Sequence, residues 1–279
     1  MEIIQLDYRG HVFAREFTMP GDLRFNYEMI DAACLTYIDE GTQSVNSSIE
    51  QVNLYPNQAM LSKCGKYVAK IDKKLSPEGL SGVVFHLNPD IIKEAFRGVN
   101  IDFLHVNSLK EPSSSFVDLG ESDLLRTFVD SMRPYFCSDI KIDDRLMGIK
   151  LQELVSILVN EGNNEVLNLL GTIGQKEVFD FEKVIDANLY NNLSIDELAH
   201  LSNLSLSSFK RKFKKIYDAT PAAYFRGKRL LRAAELLKSS TLTIGDVCWG
   251  CGFESLSHFS YTFKKEYGAS PREFRAQKP

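Results

Sequence analysis

The residues whose types and spacing carry most chemistry lie in two nine-residue segments, 50 positions apart. Phe213-Lys214-Lys215-Ile216-Tyr217-Asp218-Ala219-Thr220-Pro221 recurs as Phe263-Lys264-Lys265-Glu266-Tyr267-Gly268-Ala269-Ser270-Pro271, with six identities and a Thr/Ser exchange. Phe209 and Phe259 keep this offset, as do Tyr224 and Phe274, whereas Ile195 and Leu198 match Ile244 and Val247 at an offset of 49. Self-similarity at a fixed period marks a duplicated structural unit. Cations interleaved with aromatics suit a polyanion: arginine can bond guanine O6 and N7 together, while lysine neutralises phosphate.

Other chemistry is sparse. Cys248-Trp249-Gly250-Cys251 has metal or redox spacing, but a structural zinc needs four ligands and no second pair completes it. A thioredoxin-like site needs a βαβ context that this helical region lacks. Both thiols read as buried small hydrophobes. His11, His86 and His105 are isolated, with no His-x-His pair for a metal cupin, so no metal and no cofactor are expected. Cys34, Cys64 and Cys137 lie in no activated-cysteine motif. There is no nucleophile motif or Walker loop, and Gly250-Cys251-Gly252 lacks the third glycine and the strand of a dinucleotide site. The chain is not expected to be an enzyme.

The elements that position the repeats are helical. Ser194 caps a helix burying Ile195, Leu198, Ala199 and Leu201. Asn203 occupies the turn, since asparagine tolerates left-handed backbone. Ser205 then caps a second helix with Leu206, Phe209, Phe213 and either Tyr217 or Ile216 inward. In the second copy Gly252 turns the chain and Ser255 caps a helix holding Phe259 and Phe263. The pattern predicts two helix-turn-helix units, about 194–217 and 243–267. A helix opened by Pro221, with Arg229, Leu230, Ala233, Leu236 and Leu237 at helical spacing, joins them. Second helices of such units enter major grooves, here two successive grooves roughly 34 Å apart.

Charge follows the same division. The net charge of −4 argues against nucleic acid, yet residues 176–279 carry 17 Lys+Arg against 12 Asp+Glu, and residues 1–175 carry 16 against 25. The halves are therefore +5 and −9. Residues 1–120 show short β-leaning segments, among them Ala33–Ile38, Ala59–Ser62, Tyr67–Ile71 and Ser81–Leu87, which predict a small barrel or sandwich. A short helix is expected after Asn88-Pro89-Asp90, and longer ones over 121–133 (Leu124, Leu125, Phe128, Val129 and Met132) and 143–160. In the last, Met147, Leu151, Leu154 and Leu158 form a heptad-like seam. It reads either as a dimerisation face or as packing on the helix's own strands. Glu161-Gly162-Asn163-Asn164 and then Gly171-Thr172-Ile173-Gly174 suggest the linker. The expected division is 1–165 for an effector-binding or dimerisation domain, 166–176 for the linker and 177–279 for the DNA-binding domain. The start lacks a signal-peptide pattern, and the longest central apolar run is too short to span a bilayer, so the chain reads as cytoplasmic.

From Phe179 to Arg275 the sequence resembles the AraC/XylS transcription regulators. The resemblance rests on Leu198-Ala199, Ser205, Phe213-Lys214-Lys215, Pro221, Arg229-Leu230, Ala233, Leu236-Leu237, Ile244, Gly252-Phe253, Phe259, Phe263-Lys264-Lys265, Gly268, Ser270-Pro271 and Arg275. It implies an α+β two-domain chain: an N-terminal cupin-like barrel or sandwich with trailing helices, then an all-α domain of two helix-turn-helix units. With the phenylalanines inward, Ser207, Lys210, Arg211 and Lys214 face outward on the first recognition helix. On the second the outward set is Leu256, Ser257, His258, Tyr261 and Lys264. Arg211 is the expected base reader, and Lys214 and Lys264 the phosphate contacts. Members of the family usually carry arginine where Tyr261 stands, so a thymine-methyl contact or a phosphate bond from the phenol replaces direct readout there. The implied function is an activator of transcription that meets double-stranded promoter DNA and RNA polymerase. The expected partners further include a small-molecule effector or regulatory protein that controls it and a second copy of the chain in a homodimer, with no membrane partner. Two alternatives remain open, a cupin-type enzyme and a DNA-repair alkyl-transfer protein carrying the same DNA-binding module.

Overall fold

The computed structural model describes residues 2–30, 32–97, 114–137, 142–161, 164–171 and 180–277. The chain divides into two compact units, Met1–Val178 and Phe179–Pro279.

The first unit contains β1 Glu2–Tyr8, β2 His11–Met19, β3 Leu23–Met29, β4 Ala33–Glu40, β5 Gln43–Asn46, β6 Gln51–Leu54, β7 Ala59–Ser62, β8 Gly65–Ile71, β9 Leu80–Leu87 and β10 Phe116–Gly120. Its helices are α1 Pro89–Ala95, α2 Asp123–Phe136, α3 Asp144–Glu161 and α4 Asn164–Gly171. The strands pair antiparallel in two sheets, β1-β2-β9-β4-β7-β10 and β3-β8-β5-β6. This is the sandwich that the sequence predicted.

Alternation along the strands explains the layering, because successive side chains face opposite sides. On β4, Leu35 and Tyr37 join a core shared with the helices, whereas Ile38 faces the smaller sheet. On β9, Val83, Phe85 and Leu87 face the helices, and Leu80 and Val84 the smaller sheet. Strands buried on both faces lose polar alternation, which is why these segments read as nearly continuous apolar runs. Between the sheets lies a cavity of about 220 Å³, walled by Phe17, Phe25, Met29 and Val84 and by the polar groups of Arg15, Cys34 and His86.

Three expectations are corrected here. Met147, Leu151, Leu154 and Leu158 are each 2% exposed or less and lie in the unit's own core with Phe128, Val129 and Val166. A seam already covered by its own chain has no apolar area left for a partner helix, so these four residues do not form a dimerisation face. Leu124, one of the apolar set at helical spacing in α2, is exposed at 54% rather than packed with Leu125, Phe128, Val129 and Met132. The linker does not begin at residue 166 either: Val166, Leu169 and Leu170 of α4 are buried in the first unit. Gly162, Asn163, residues 172–176 and His105 lie outside the described residues. Among the described residues no helix is long and apolar enough to cross a membrane.

The second unit is all helical: α5 Phe181–Ala187, α6 Ile195–Leu201, α7 Leu206–Tyr217, α8 Pro221–Ser239, α9 Ile244–Gly250, α10 Leu256–Tyr267 and α11 Pro271–Ala276.

Candidate nucleic-acid interface

Local chemistry sets each helix start. The Ser194 hydroxyl accepts from the Glu197 amide while the Glu197 carboxylate returns to the Ser194 amide, closing a capping box at α6. Thr243 and Asp246 build the same box at α9. Ser205 caps α7 and Ser255 caps α10, each accepting from the amide three residues on. The turns follow expectation: Asn203 has φ +53° and Gly252 φ +77°.

The repeat reappears as ring geometry. Phe213 lies 4.6 Å from Tyr217 and meets Tyr224 edge-on at 5.4 Å. Phe263 lies 4.6 Å from Tyr267 and meets Phe274 edge-on at 5.2 Å. Each recognition helix is thus bolted by its own aromatic cluster to the helix that follows, α8 in one copy and α11 in the other. Burial pushes the Tyr217 phenol up to about 12, with the neighbouring Tyr224 and acidic groups adding to it.

With Phe209, Phe213, Phe259 and Phe263 fully buried, the opposite faces are fixed. Ser207, Lys210, Arg211 and Lys214 are all exposed on α7, and Leu256, Ser257, His258, Tyr261 and Lys264 are all exposed on α10. Residues 207, 210, 211 and 214 are spaced as one helical face. At the 50-residue offset Tyr261 stands where Arg211 stands in the first copy. It is a large aromatic, 71% exposed.

One inner-face expectation is corrected and one open alternative is resolved. Leu206 is 37% exposed because it is the first residue after the cap, still outside the turn that packs inward. Of the two candidates at the end of α7, Tyr217 enters the ring cluster and Ile216 faces solvent. Lys212 belongs to the domain rather than to the outer face, its Nζ 4.7 Å from the Phe181 ring centre. Apart from that contact the cations of α7 are uncompensated: no ion pair among the described residues involves Lys210, Arg211, Lys212, Lys214 or Lys215. Cys248 and Cys251 are buried, as expected, and burial pushes both thiols up, Cys251 to about 11. Among the described residues no group of three or more His, Cys, Asp or Glu side chains is placed to hold a metal ion.

Comparison with known proteins matches residues 198–277 to a helix-turn-helix domain family and residues 33–169 to the ExsA N-terminal regulatory domain. An AraC-type DNA-binding protein from Chromobacterium violaceum, of solved structure, is 34% identical and covers 35% of this chain and 87% of its own, with a TM-score of 0.32. The chain belongs to the AraC/XylS family of transcription regulators.

Among AraC/XylS members, the transcriptional regulator ExsA of Pseudomonas aeruginosa is 21% identical over 91% of this chain and 90% of its own length. GbdR of Pseudomonas aeruginosa is 35% identical over 40% of this chain. The chain spans only 30% of the length of GbdR, so that likeness is confined to one segment.

Proposed function

We propose that this chain is a sequence-specific DNA-binding activator of transcription, not an enzyme, working in the cytoplasm. Its second unit binds double-stranded promoter DNA through α7 and α10 and contacts RNA polymerase, and its first unit receives an effector or a regulatory protein. The observation that carries the reading is the exposed face of Lys210, Arg211 and Lys214 on α7, which lacks any ion-pair partner among the described residues. Such a face stores positive potential that phosphate discharges by releasing counterions. Arg211 reads base edges, Ser207 and Lys210 flank it, and Lys214 and Lys264 hold phosphate. Leu256, Ser257, His258 and Tyr261 supply a less charged second reader, with apolar contact to thymine methyl groups. The cavity between the sheets is where a small effector sits. Pairing of two copies uses surfaces other than the α3 seam.

The alkyl-transfer alternative needs an activated thiolate, whereas burial pushes the Cys34 thiol up and keeps it protonated.

The test compares binding to a selected operator and to random duplex across salt concentrations. Arg211→Ala lowers affinity for the operator by about 1–3 kcal/mol at particular base pairs and relaxes specificity there. Lys264→Ala weakens both duplexes alike and shallows the salt slope by about one. Equal losses on both duplexes for Arg211→Ala remove its assigned role.

A further inference from the structure

The two helix-turn-helix turns do the same local job in different surroundings. Asn203 is exposed, whereas Gly252 is buried. A Cβ on Gly252 would stand 2.4 Å from the Tyr190 carbonyl oxygen and 3.2 Å from the Arg229 guanidinium carbon. The turn of the second helix-turn-helix is therefore docked on the stretch that leads into the first.

One side chain holds that contact. From the middle of α8, Arg229 donates Nε–H to the Leu189 carbonyl at 2.9 Å, Nη2–H to the Asn191 carbonyl at 2.7 Å and Nη1–H to the Gly252 carbonyl at 2.8 Å. All three guanidinium nitrogens are engaged, two with the segment that leads into the first helix-turn-helix and one with the turn of the second. The group sits over the Phe225 ring at 5.7 Å, and Asn192 bonds Glu254 alongside. Asn191 lies three residues before Ser194, the cap of α6, and Gly252 three before Ser255, the cap of α10. The tethered carbonyls are thus one short link from the helices that present the outer faces.

Apolar packing already joins α8 to both helix-turn-helix motifs: Phe225 meets Phe213 of α7, and Leu230, Ala233 and Leu237 share a core with Val247, Phe259 and Phe263. Such apolar contacts carry little direction, so within the 19-residue α8 the directional link between the two motifs is Arg229. A planar fork bonded to three fixed carbonyls fixes the angle between them, since it specifies direction as well as distance.

We propose that Arg229 is a positioning residue that sets the separation and phase of the two recognition helices, and hence the spacing of operator half-sites the protein accepts. It touches no base; it acts through α6–α7 and α10. The proposal rests on the DNA-binding reading above and adds its spacing rule. One inserted base pair shifts the second half-site by roughly 3.4 Å and a tenth of a turn, which a rigid pair of helices cannot follow.

The experiment uses the full chain and the duplex that the wild type selects from a random-sequence pool, with derivatives carrying 1, 2 or 5 base pairs inserted midway. Wild-type affinity is expected to drop at least tenfold on the first insertion. Arg229→Gln is expected to bind the selected duplex at least tenfold more weakly yet lose less than threefold further on insertion. Circular dichroism checks folding, and Arg229→Lys, which keeps the charge without the fork, is read in its place if Arg229→Gln does not fold. A residue of purely structural importance would lower the active fraction and leave the ratio of spaced to unspaced affinity at its wild-type value. That unchanged ratio in the folded variant overturns the proposal. Failure of the wild type to select any duplex instead overturns the DNA-binding reading.

Discussion

The Cys34 sulfur lies 3.3 Å from Nδ1 of His86, directly across the β4–β9 ladder in the wall of the cavity. Burial pushes the thiol up, and burial together with the Arg15 charge pushes the imidazole down to about 4. Both groups are neutral at pH 7. The thiol and Nδ1 share one proton along this contact, while Nε2 is buried with no hydrogen-bond partner among the described residues.

This pair gives the first unit an acid sensitivity. Unfolded, the imidazole binds a proton near its ordinary 6.5; folded, it resists protonation until about 4. In that window the unfolded state holds more protons, so stability falls as pH drops and is fully restored above it. The shift corresponds to about 3 kcal/mol. Urea unfolding between pH 7 and 4.5 is expected to show most of this loss in the wild type and a shallower one in His86→Gln. Parallel slopes would remove His86 as the cause.

Core burial of the α3 seam predicts that Leu154→Ala destabilises the first unit by about 2–5 kcal/mol, as truncation of a packed leucine does. The loss is expected to be independent of protein concentration. A midpoint that climbs with concentration in the wild type but not in the variant would return the seam to an interface.

At the two turns, Gly252→Ala is expected to cost several kcal/mol, since its left-handed backbone and the Tyr190 carbonyl both oppose a Cβ. Asn203→Gly, in the same conformation but exposed, is expected to stay within about 1 kcal/mol of the wild type. Denaturant midpoints of the two variants separate local strain from docking.

The duplicated capping boxes make matched predictions. Ser194→Ala and Thr243→Ala each remove a cap from a seven-residue helix, and each is expected to lower stability by about 1 kcal/mol in thermal or urea unfolding.

Much of the second unit was legible because its signals are local. A cap, a turn residue and a phenylalanine four positions on occur within one helix-turn-helix, and the 50-residue echo repeats them. Exposure of Arg211 followed from Phe209 and Phe213 alone. Arg229 was legible only as a residue at helical spacing on the long helix; its three carbonyl partners come from segments 23 to 40 residues away. The first unit was legible as strands, but not as a cavity, whose walls come from β1, β2, β3, β4, β5 and β9. The seam of α3 and the apolar residues of α4 show the converse limit. Helical periodicity says that a face is covered, but not whether the cover belongs to the same chain.

The six-stranded sheet, covered on both sides, leaves the cavity and the helical layer with one wall in common. His86 looks into the cavity while Phe85, a single peptide unit away on β9, stands 5.2 Å from Phe128 of α2. A twist of that strand large enough to re-aim His86 must also turn Phe85 against its helix. Cavity and helical layer are thus mechanically linked through one shared strand.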